Sequence, residues 1–217
     1  GISAVSISPC PMDEWGIDVV VSGSQKGLML PPGLSFNAVG PKALEMSKSR
    51  GMPRSYWGWG EMIAANENGY FPYTPATNLL FGLDRVLDQL LEEGLDSVFA
   101  RHNRHAEATR RAVQAWGLEN LCNSPAHFSP VLTAVLMPEG HSADAFRRVV
   151  LDKFNMSLGS GLSKVADKVF RIGHLGNINE LTLLGTLAGC EMGLALSGVP
   201  HQRGGVDVAM SYLSETA

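Results

Sequence analysis

A lysine in a run of small polar residues has the surroundings that could make it a nucleophile. Lys26 follows the apolar run Ile17–Val21 and lies in the sequence Ser-Gly-Ser-Gln-Lys-Gly at 22–27. Open α/β sheets bind ligands at the ends of their strands, and glycine lets the backbone approach a ligand closely. Desolvation at such a place favours the neutral, nucleophilic amine. Taken alone, however, the same pattern is also typical of a solvated lysine in a surface turn.

An arginine inside an apolar, strand-like run has the geometry to bind a carboxylate. Arg171 lies between Phe170 and Ile172, and arginine is almost never fully buried unless it is paired. Its planar guanidinium suits two parallel hydrogen bonds to a carboxylate. That carboxylate can belong to a ligand or to the protein itself, for example to Asp167 in a structural ion pair. His174, in the same run, is interpreted as packed or hydrogen-bonded rather than catalytic.

Several function classes lack the residues that they need. The net charge is −4, and the densest basic stretch, 101–111, also carries Glu107, so no basic stripe for nucleic acid is evident. No apolar run approaches the roughly 20 residues of a membrane helix. The six histidines show no metal-ligand spacing, and no glycine-rich dinucleotide motif or P-loop is present. Three sparse cysteines fit a reducing compartment, and we expect a cytoplasmic protein without a metal site.

Hydrophobic periodicity predicts two long helices followed by alternating strands and helices, which is typical of an α/β layer domain. Residues after Gly198, with Pro200, Gly204 and Gly205, are predicted to be irregular. The predicted elements are a buried parallel strand at 17–21, loops and short elements over 34–70, an extended segment at 71–75, helices from Thr77 to Gly94 and from Asp96 to Trp116, strands at 131–137 and 169–172, and helices from Ser142 to Phe154 and from Asn179 to Leu196.

Four segments resemble the class V aminotransferases, which bind pyridoxal phosphate and have fold type I. The run 18–33 is similar to the family's cofactor-lysine segment, including the Pro-Pro-Gly bend at 31–33. The segments 70–75, 158–162 and 170–177 resemble, in the family's order, the segment that reaches the partner's cofactor phosphate, the glycine-rich turn and the strand that carries the substrate arginine. Within the family, these sequences look most like the serine–glyoxylate aminotransferases of bacteria and plants.

The resemblance implies a role for five residues. Lys26 would be the Schiff-base lysine, and Gln25 would lie near the cofactor phosphate. Thr74, and Tyr73 beside it, would contact that phosphate across the interface of a homodimer with shared active sites. Arg171 would hold the α-carboxylate of the amino-acid or 2-oxo-acid substrate.

The family's architecture predicts three parts of the chain. Residues 1–93 would be the end of the large cofactor domain with a linker helix, 94–198 the small C-terminal α/β domain, and 199–217 a tail. The family's ring-nitrogen aspartate lies in a strand that would precede Gly1, so we expect a chain that is incomplete at its N-terminus. For that reason, activity of the 217 residues alone is in doubt.

The resemblance implies transamination from serine, or alanine, to glyoxylate, which gives glycine and hydroxypyruvate or pyruvate. One alternative is another class V enzyme, such as a cysteine desulfurase, which needs a nucleophilic cysteine on a mobile loop. Cys190 falls in a predicted helix, and Cys10 and Cys122 are far in sequence from Arg171. A second alternative is a truncated remnant without catalytic activity.

Overall fold

The structure, a computed structural model, describes residues 1–49 and 51–217. Contacts divide the chain into two units, Gly1–Leu95 and Asp96–Ala217. The first unit contains a two-stranded antiparallel sheet of β1 (Val19–Gly23) and β2 (Ser35–Val39). Three helices follow it, namely α1 (Pro41–Ser49), α2 (Trp59–Asn66) and α3 (Thr77–Glu93).

The predicted buried parallel strand is wrong in its pairing and in its burial, because Val19 and Val20 are half-buried and Val21 is exposed. The strand lies at 19–23, and it pairs antiparallel with β2 in a register that joins Val19 to Val39 and Gly23 to Ser35. The chain reverses its direction between the two strands because the connecting loop folds back on Ser24, which is fully buried. Strand β2 has only five residues and none of them is buried, and it lies in a stretch that the sequence pattern assigned to loops and short elements.

The long helix of the first unit is confirmed. Helix α3 begins at Thr77 and ends before Gly94, whose φ of 81° suits glycine and whose N–H donates to the carbonyl of Leu90 at 3.0 Å. Val86 and Leu90 are the buried residues of this helix. They lie four residues apart, which places them on the same face.

In the second unit, helices pack on a four-stranded antiparallel sheet with the strand order β3-β4-β6-β5. The core lies between this sheet and the helices, where the rings of Phe146 and Phe170 have centroids 4.6 Å apart. The elements are α4 (Leu95–Ala115), β3 (Glu119–Asn120), β4 (Leu132–Leu136), α5 (Ala143–Phe154), β5 (Gly159–Ser160), β6 (Val169–Gly173), α6 (Glu180–Leu196) and α7 (Gly205–Glu215).

Both predicted helix caps of this unit are confirmed. The Ser142 hydroxyl accepts a hydrogen bond from the N–H of Ala145 at the start of α5. The side chain of Asn179 accepts one from the N–H of Thr182 at the start of α6. These bonds satisfy N–H groups that have no partner within the helix.

The prediction that the residues after Gly198 are irregular is wrong, because α7 forms there under a cap from another helix. Glu191, on α6, accepts hydrogen bonds from the N–H groups of Gly204 at 2.9 Å and Val206 at 3.3 Å, and from Nε1 of Trp116 at 2.7 Å. Desolvation raises the pKa of Glu191, but these hydrogen bonds outweigh it and hold the pKa below its usual range. A negative charge at a helix N-terminus also interacts favourably with the helix dipole.

None of the helices among the described residues is long and apolar enough to cross a membrane. In the same part of the chain, no group of three or more His, Cys, Asp or Glu residues could hold a metal ion.

Replacing Glu191 by alanine should destabilise the protein, because it leaves the buried Nε1 of Trp116 and the first N–H groups of α7 without an acceptor. We expect the free energy of unfolding to fall by about 2 kcal/mol or more. Urea unfolding followed by Trp fluorescence measures this change. The control is Glu139→Ala, at an exposed carboxylate, which should change stability by less than about 0.5 kcal/mol. Equal stability of the two variants would contradict the capping role.

Candidate functional site

The loop between β1 and β2 closes tightly around the base of Lys26. The buried Ser24 hydroxyl donates to the carbonyl of Pro31 at 2.7 Å and accepts from the N–H of Leu34 at 3.1 Å. On the other side of the lysine, the N–H of Met29 donates to the Lys26 carbonyl at 2.9 Å. The loop backbone is therefore fixed on both sides of Lys26, while its side chain is half-buried.

Gly27 packs against the segment before β1 so closely that no side chain fits. A Cβ at this position would overlap the Ser6 hydroxyl and approach the carbonyl of Val5 to 2.5 Å and Cγ1 of Ile7 to 2.7 Å. Ile7 is itself fully buried. Among the described residues, the amine of Lys26 has no hydrogen bond or ion pair. The structure thus combines a rigid backbone with an amine that no protein group engages.

The extended segment before α3 presents two hydroxyl residues that differ in their contacts. The Tyr73 hydroxyl lies 2.9 Å from the Ser55 hydroxyl and donates to the carboxylate of Glu61 at 3.3 Å. Thr74 is exposed, and its hydroxyl has no partner among the described residues. Gln25 is also exposed. Thr74 and Gln25 are therefore free to bind a ligand, whereas Tyr73 already has partners in its own unit.

Arg171 lies in the middle of β6, in the second unit. It pairs with Ala134 of β4 on one side and with Gly159 of β5 on the other. Its side chain is half-buried, and its Nε is buried without a hydrogen-bond partner. In the part of the chain that the structure describes, the guanidinium makes no ion pair.

The alternative ion pair between Arg171 and Asp167 is not formed. Asp167 instead accepts hydrogen bonds from the Ser142 hydroxyl at 2.5 Å and from the N–H of Asp144 at 2.9 Å, at the start of α5. These two bonds hold the pKa of Asp167 below its usual range. The carboxylate therefore stabilises a helix end and leaves Arg171 unpaired.

Gly159 provides the space across which the Arg171 side chain lies. A Cβ at this position would be 3.1 Å from both Cβ and Nε of Arg171 and 3.5 Å from Cζ. Contacts of 3.1 Å are tighter than most real Cβ contacts, so a side chain at 159 would have to push the arginine away. The glycine therefore lets the Arg171 side chain pack closely across β5.

None of the protein-family models matches the chain. Among characterised proteins, it is 47% identical to the serine–glyoxylate aminotransferase of Hyphomicrobium methylovorum, covering 100% of this chain and 54% of that protein. It is 46% identical to the enzyme of the same name from Arabidopsis thaliana, covering 98% and 54%. The chain is a homologue of the class V aminotransferases. It spans about half the length of these relatives.

Solved aminotransferase structures confirm the predicted fold class. Ureidoglycine–glyoxylate aminotransferase from Bacillus subtilis matches with a TM-score of 0.91 at 26% identity, over 98% of this chain and 56% of that one. Pyridoxamine–pyruvate aminotransferase from Mesorhizobium loti matches with a TM-score of 0.90 at 29% identity, over 100% and 56%. The class V homologue therefore has the α/β fold of type I pyridoxal-phosphate enzymes over about half of their chains.

Gly159→Ala should move the guanidinium of Arg171, because the new methyl group would come within 3.1 Å of its Cβ and Nε. We expect the NMR signal of the Arg171 Nε–H group to shift in the full chain. Gly173→Ala, on the same strand as the arginine, is the matched control, since a Cβ there would meet nothing within 4 Å. Identical Arg171 signals in the wild type and in Gly159→Ala would contradict this account of the glycine.

Proposed function

We propose that this chain carries the cofactor lysine and the substrate arginine of a pyridoxal-phosphate-dependent aminotransferase that uses glyoxylate. The single observation that best supports the proposal is the buried Nε of Arg171, which has no hydrogen-bond partner among the described residues. A buried N–H group without a hydrogen-bond partner is costly, and a substrate carboxylate could accept two parallel hydrogen bonds from the guanidinium. The identity to enzymes that are named for glyoxylate points to the same chemistry.

The residues present fit the cofactor that the family uses. Pyridoxal phosphate supplies an aldehyde that a lysine amine can bind covalently, and a ring that withdraws electrons from the substrate. Lys26 offers an amine that has no partner among the described residues, on a loop whose backbone is fixed. Gln25 and Thr74 are exposed polar residues that would bind the phosphate. Tyr73 would assist only after giving up its bonds to Ser55 and Glu61.

Two side chains of this chain, Arg171 and Lys26, would act directly on the substrate. Arg171 would bind the α-carboxylate and so fix the direction in which the Cα–H bond points. Nζ of Lys26 would accept the proton that leaves Cα of the donor, pass it on to the cofactor, and in the second half-reaction supply a proton to Cα of the acceptor. A neutral amine suits this role because it can take up a proton and release it again.

Glyoxylate as the acceptor of the amino group has broader support than any one amino-acid donor. Relatives named for serine–glyoxylate and for L-aspartate–glyoxylate transfer are 47% and 41% identical to this chain, so the donors in the two names differ while glyoxylate is shared. Arg171 would read only the α-carboxylate, which every amino-acid donor carries. We propose serine as the donor, which gives hydroxypyruvate and glycine, with alanine as the other candidate, which gives pyruvate.

The cysteine-desulfurase alternative finds no support in the cysteines. Burial raises the pKa of the fully buried Cys190 thiol to about 12, so it stays protonated near neutral pH. Cys122 is half-buried and lies close enough to the Ser124 carbonyl, at 3.6 Å, to donate to it. Cys10 belongs to the first unit, far in sequence from the arginine.

A shared active site in a homodimer belongs to the same proposal. In the resemblance, the segment with Tyr73 and Thr74 serves the partner's cofactor. The exposure of Thr74 supports this role, because its hydroxyl is open to a group outside its own unit.

Borohydride reduction of the 217-residue chain with pyridoxal phosphate should place the label on Lys26, because this amine is half-buried and unpaired. Peptide mapping by mass spectrometry locates the label. Lys26→Ala should abolish it together with the yellow colour. Lys42→Ala, at an exposed lysine paired with Asp18 at 3.1 Å, should leave both unchanged. A label on Lys42, Lys48 or Lys164, or a protein that stays colourless, would contradict the proposal.

A further inference from the structure

The chain directly after β6 is held from the core side of the sheet by a buried histidine. His174 is fully buried, with Nδ1 3.1 Å from the carbonyl of Pro130 and Nε2 3.0 Å from the Thr133 hydroxyl. Its backbone N–H also donates to the carbonyl of Val131 at 3.0 Å. The end of β6 is therefore tied to β4 through both backbone and side chain.

The contacts of His174 determine its tautomer. A carbonyl oxygen can only accept, so Nδ1 must carry the proton that is donated to Pro130. The bare Nε2 then accepts the hydroxyl proton of Thr133. Burial lowers the pKa of His174 to about 3, which keeps the ring neutral in this arrangement near neutral pH.

A second histidine holds the other end of the same segment. His102, on α4, is almost fully buried, and its Nδ1 lies 2.7 Å from the carbonyl of Val98. The same reasoning puts the proton on Nδ1, and Nε2 accepts from the N–H of Gly176 at 3.0 Å. Beside it, Arg101 donates to the Gly176 carbonyl at 2.8 Å. The segment 174–176 is thus held by two buried histidines: His174 anchors its first residue, and His102 accepts a hydrogen bond from Gly176 at its other end.

Among the described residues, no hydrogen bond or ion pair holds the Arg171 side chain, so its position follows from the backbone of β6 and from its packing across Gly159. Side chains alternate along a strand, so Ile172 and His174 face the core while Arg171 faces the other side. Strand β5 pairs with β6 only through Gly159 and Ser160, whereas β4 pairs along the whole of β6. The anchoring of β6 to β4 therefore determines where the backbone of Arg171 lies.

We propose that His174 and His102 are positioning residues, which fix the end of β6 and thereby hold the Arg171 guanidinium in the geometry that binds a substrate carboxylate. The carboxylate part of this inference rests on the proposed function. The positioning of Arg171 by His174 can be measured without any substrate.

Thr133 allows the test without removing the histidine. Thr133→Val keeps the shape of the side chain but removes the hydroxyl that donates to His174, whereas Thr133→Ser keeps that hydroxyl. Thr109→Val is the matched control, since Thr109 is also fully buried in the second unit and its hydroxyl donates to the His105 carbonyl at 2.8 Å. Both valine variants should lose a similar amount of stability. An effect on Arg171 that appears only in Thr133→Val would therefore come from the positioning role.

Three quantities are measured on the full chain: urea stability, the NMR signal of the Arg171 Nε–H group, and the dissociation constant for glycolate. Glycolate carries the carboxylate of glyoxylate without its reactive aldehyde, and its neutral amide, glycolamide, controls for binding elsewhere. Thr133→Val should shift the Arg171 signal and weaken glycolate binding about fivefold. Thr133→Ser should restore both, and Thr109→Val should change neither.

The outcomes distinguish the positioning of Arg171 by the histidines from the binding of a carboxylate by Arg171. If Thr133→Val folds and its Arg171 signal matches the wild type, or if Thr109→Val shifts that signal equally, the positioning role is overturned. If the wild type does not discriminate glycolate from glycolamide while the signal still shifts in Thr133→Val, the proposed function is overturned and the positioning of Arg171 stands. Should Thr133→Val fail to fold, His102→Phe removes the bond at the other end of the segment. It must shift the Arg171 signal in the same way, and an unchanged signal overturns the inference.

Discussion

An unpaired guanidinium in an otherwise apolar strand is the constraint on which the second unit depends. Burying a charged group without a partner costs free energy, yet the Nε of Arg171 is buried without a hydrogen bond. The carboxylate that could pair with it, Asp167, instead caps α5. The neighbouring position on β5 is a glycine, which leaves the space that the arginine fills. These features keep Arg171 available to a ligand, and a ligand carboxylate is the group that would pair with its guanidinium.

Local sequence signals predicted the helices well, because the determinants of a helix lie within the helix or beside it. The apolar spacing and Gly94 predicted α3, and Ser142 and Asn179 marked the starts of α5 and α6. Helix α7 was missed because its cap, Glu191, lies on a different helix. Strand β1 was predicted with the wrong pairing, because the choice of partner depends on contacts with the short strand at 35–39 that are seen only in the fold.

The chemistry-bearing residues could be identified from the sequence, whereas their surroundings could not. Lys26 and Arg171 stand out by residue type and context, and the resemblance to class V aminotransferases assigned each a role. Residue type could not show that Arg171 is unpaired, since this depends on where the Asp167 carboxylate points. The hydrogen bond between Thr133 and His174 likewise joins two residues that are 41 positions apart along the chain, so only the pairing of β4 with β6 reveals it.

The measurement that most directly tests the carboxylate-binding role of Arg171 is a comparison of Arg171→Lys with the wild type in glycolate binding and in stability. Lysine keeps the positive charge but loses the two parallel hydrogen bonds. Removing one partner of a buried charge pair costs about 2–5 kcal/mol, and lysine keeps part of the interaction. The account predicts a dissociation constant about 30-fold higher, which corresponds to about 2 kcal/mol, with an almost unchanged free energy of unfolding. A variant that binds glycolate normally but unfolds much more easily would contradict it.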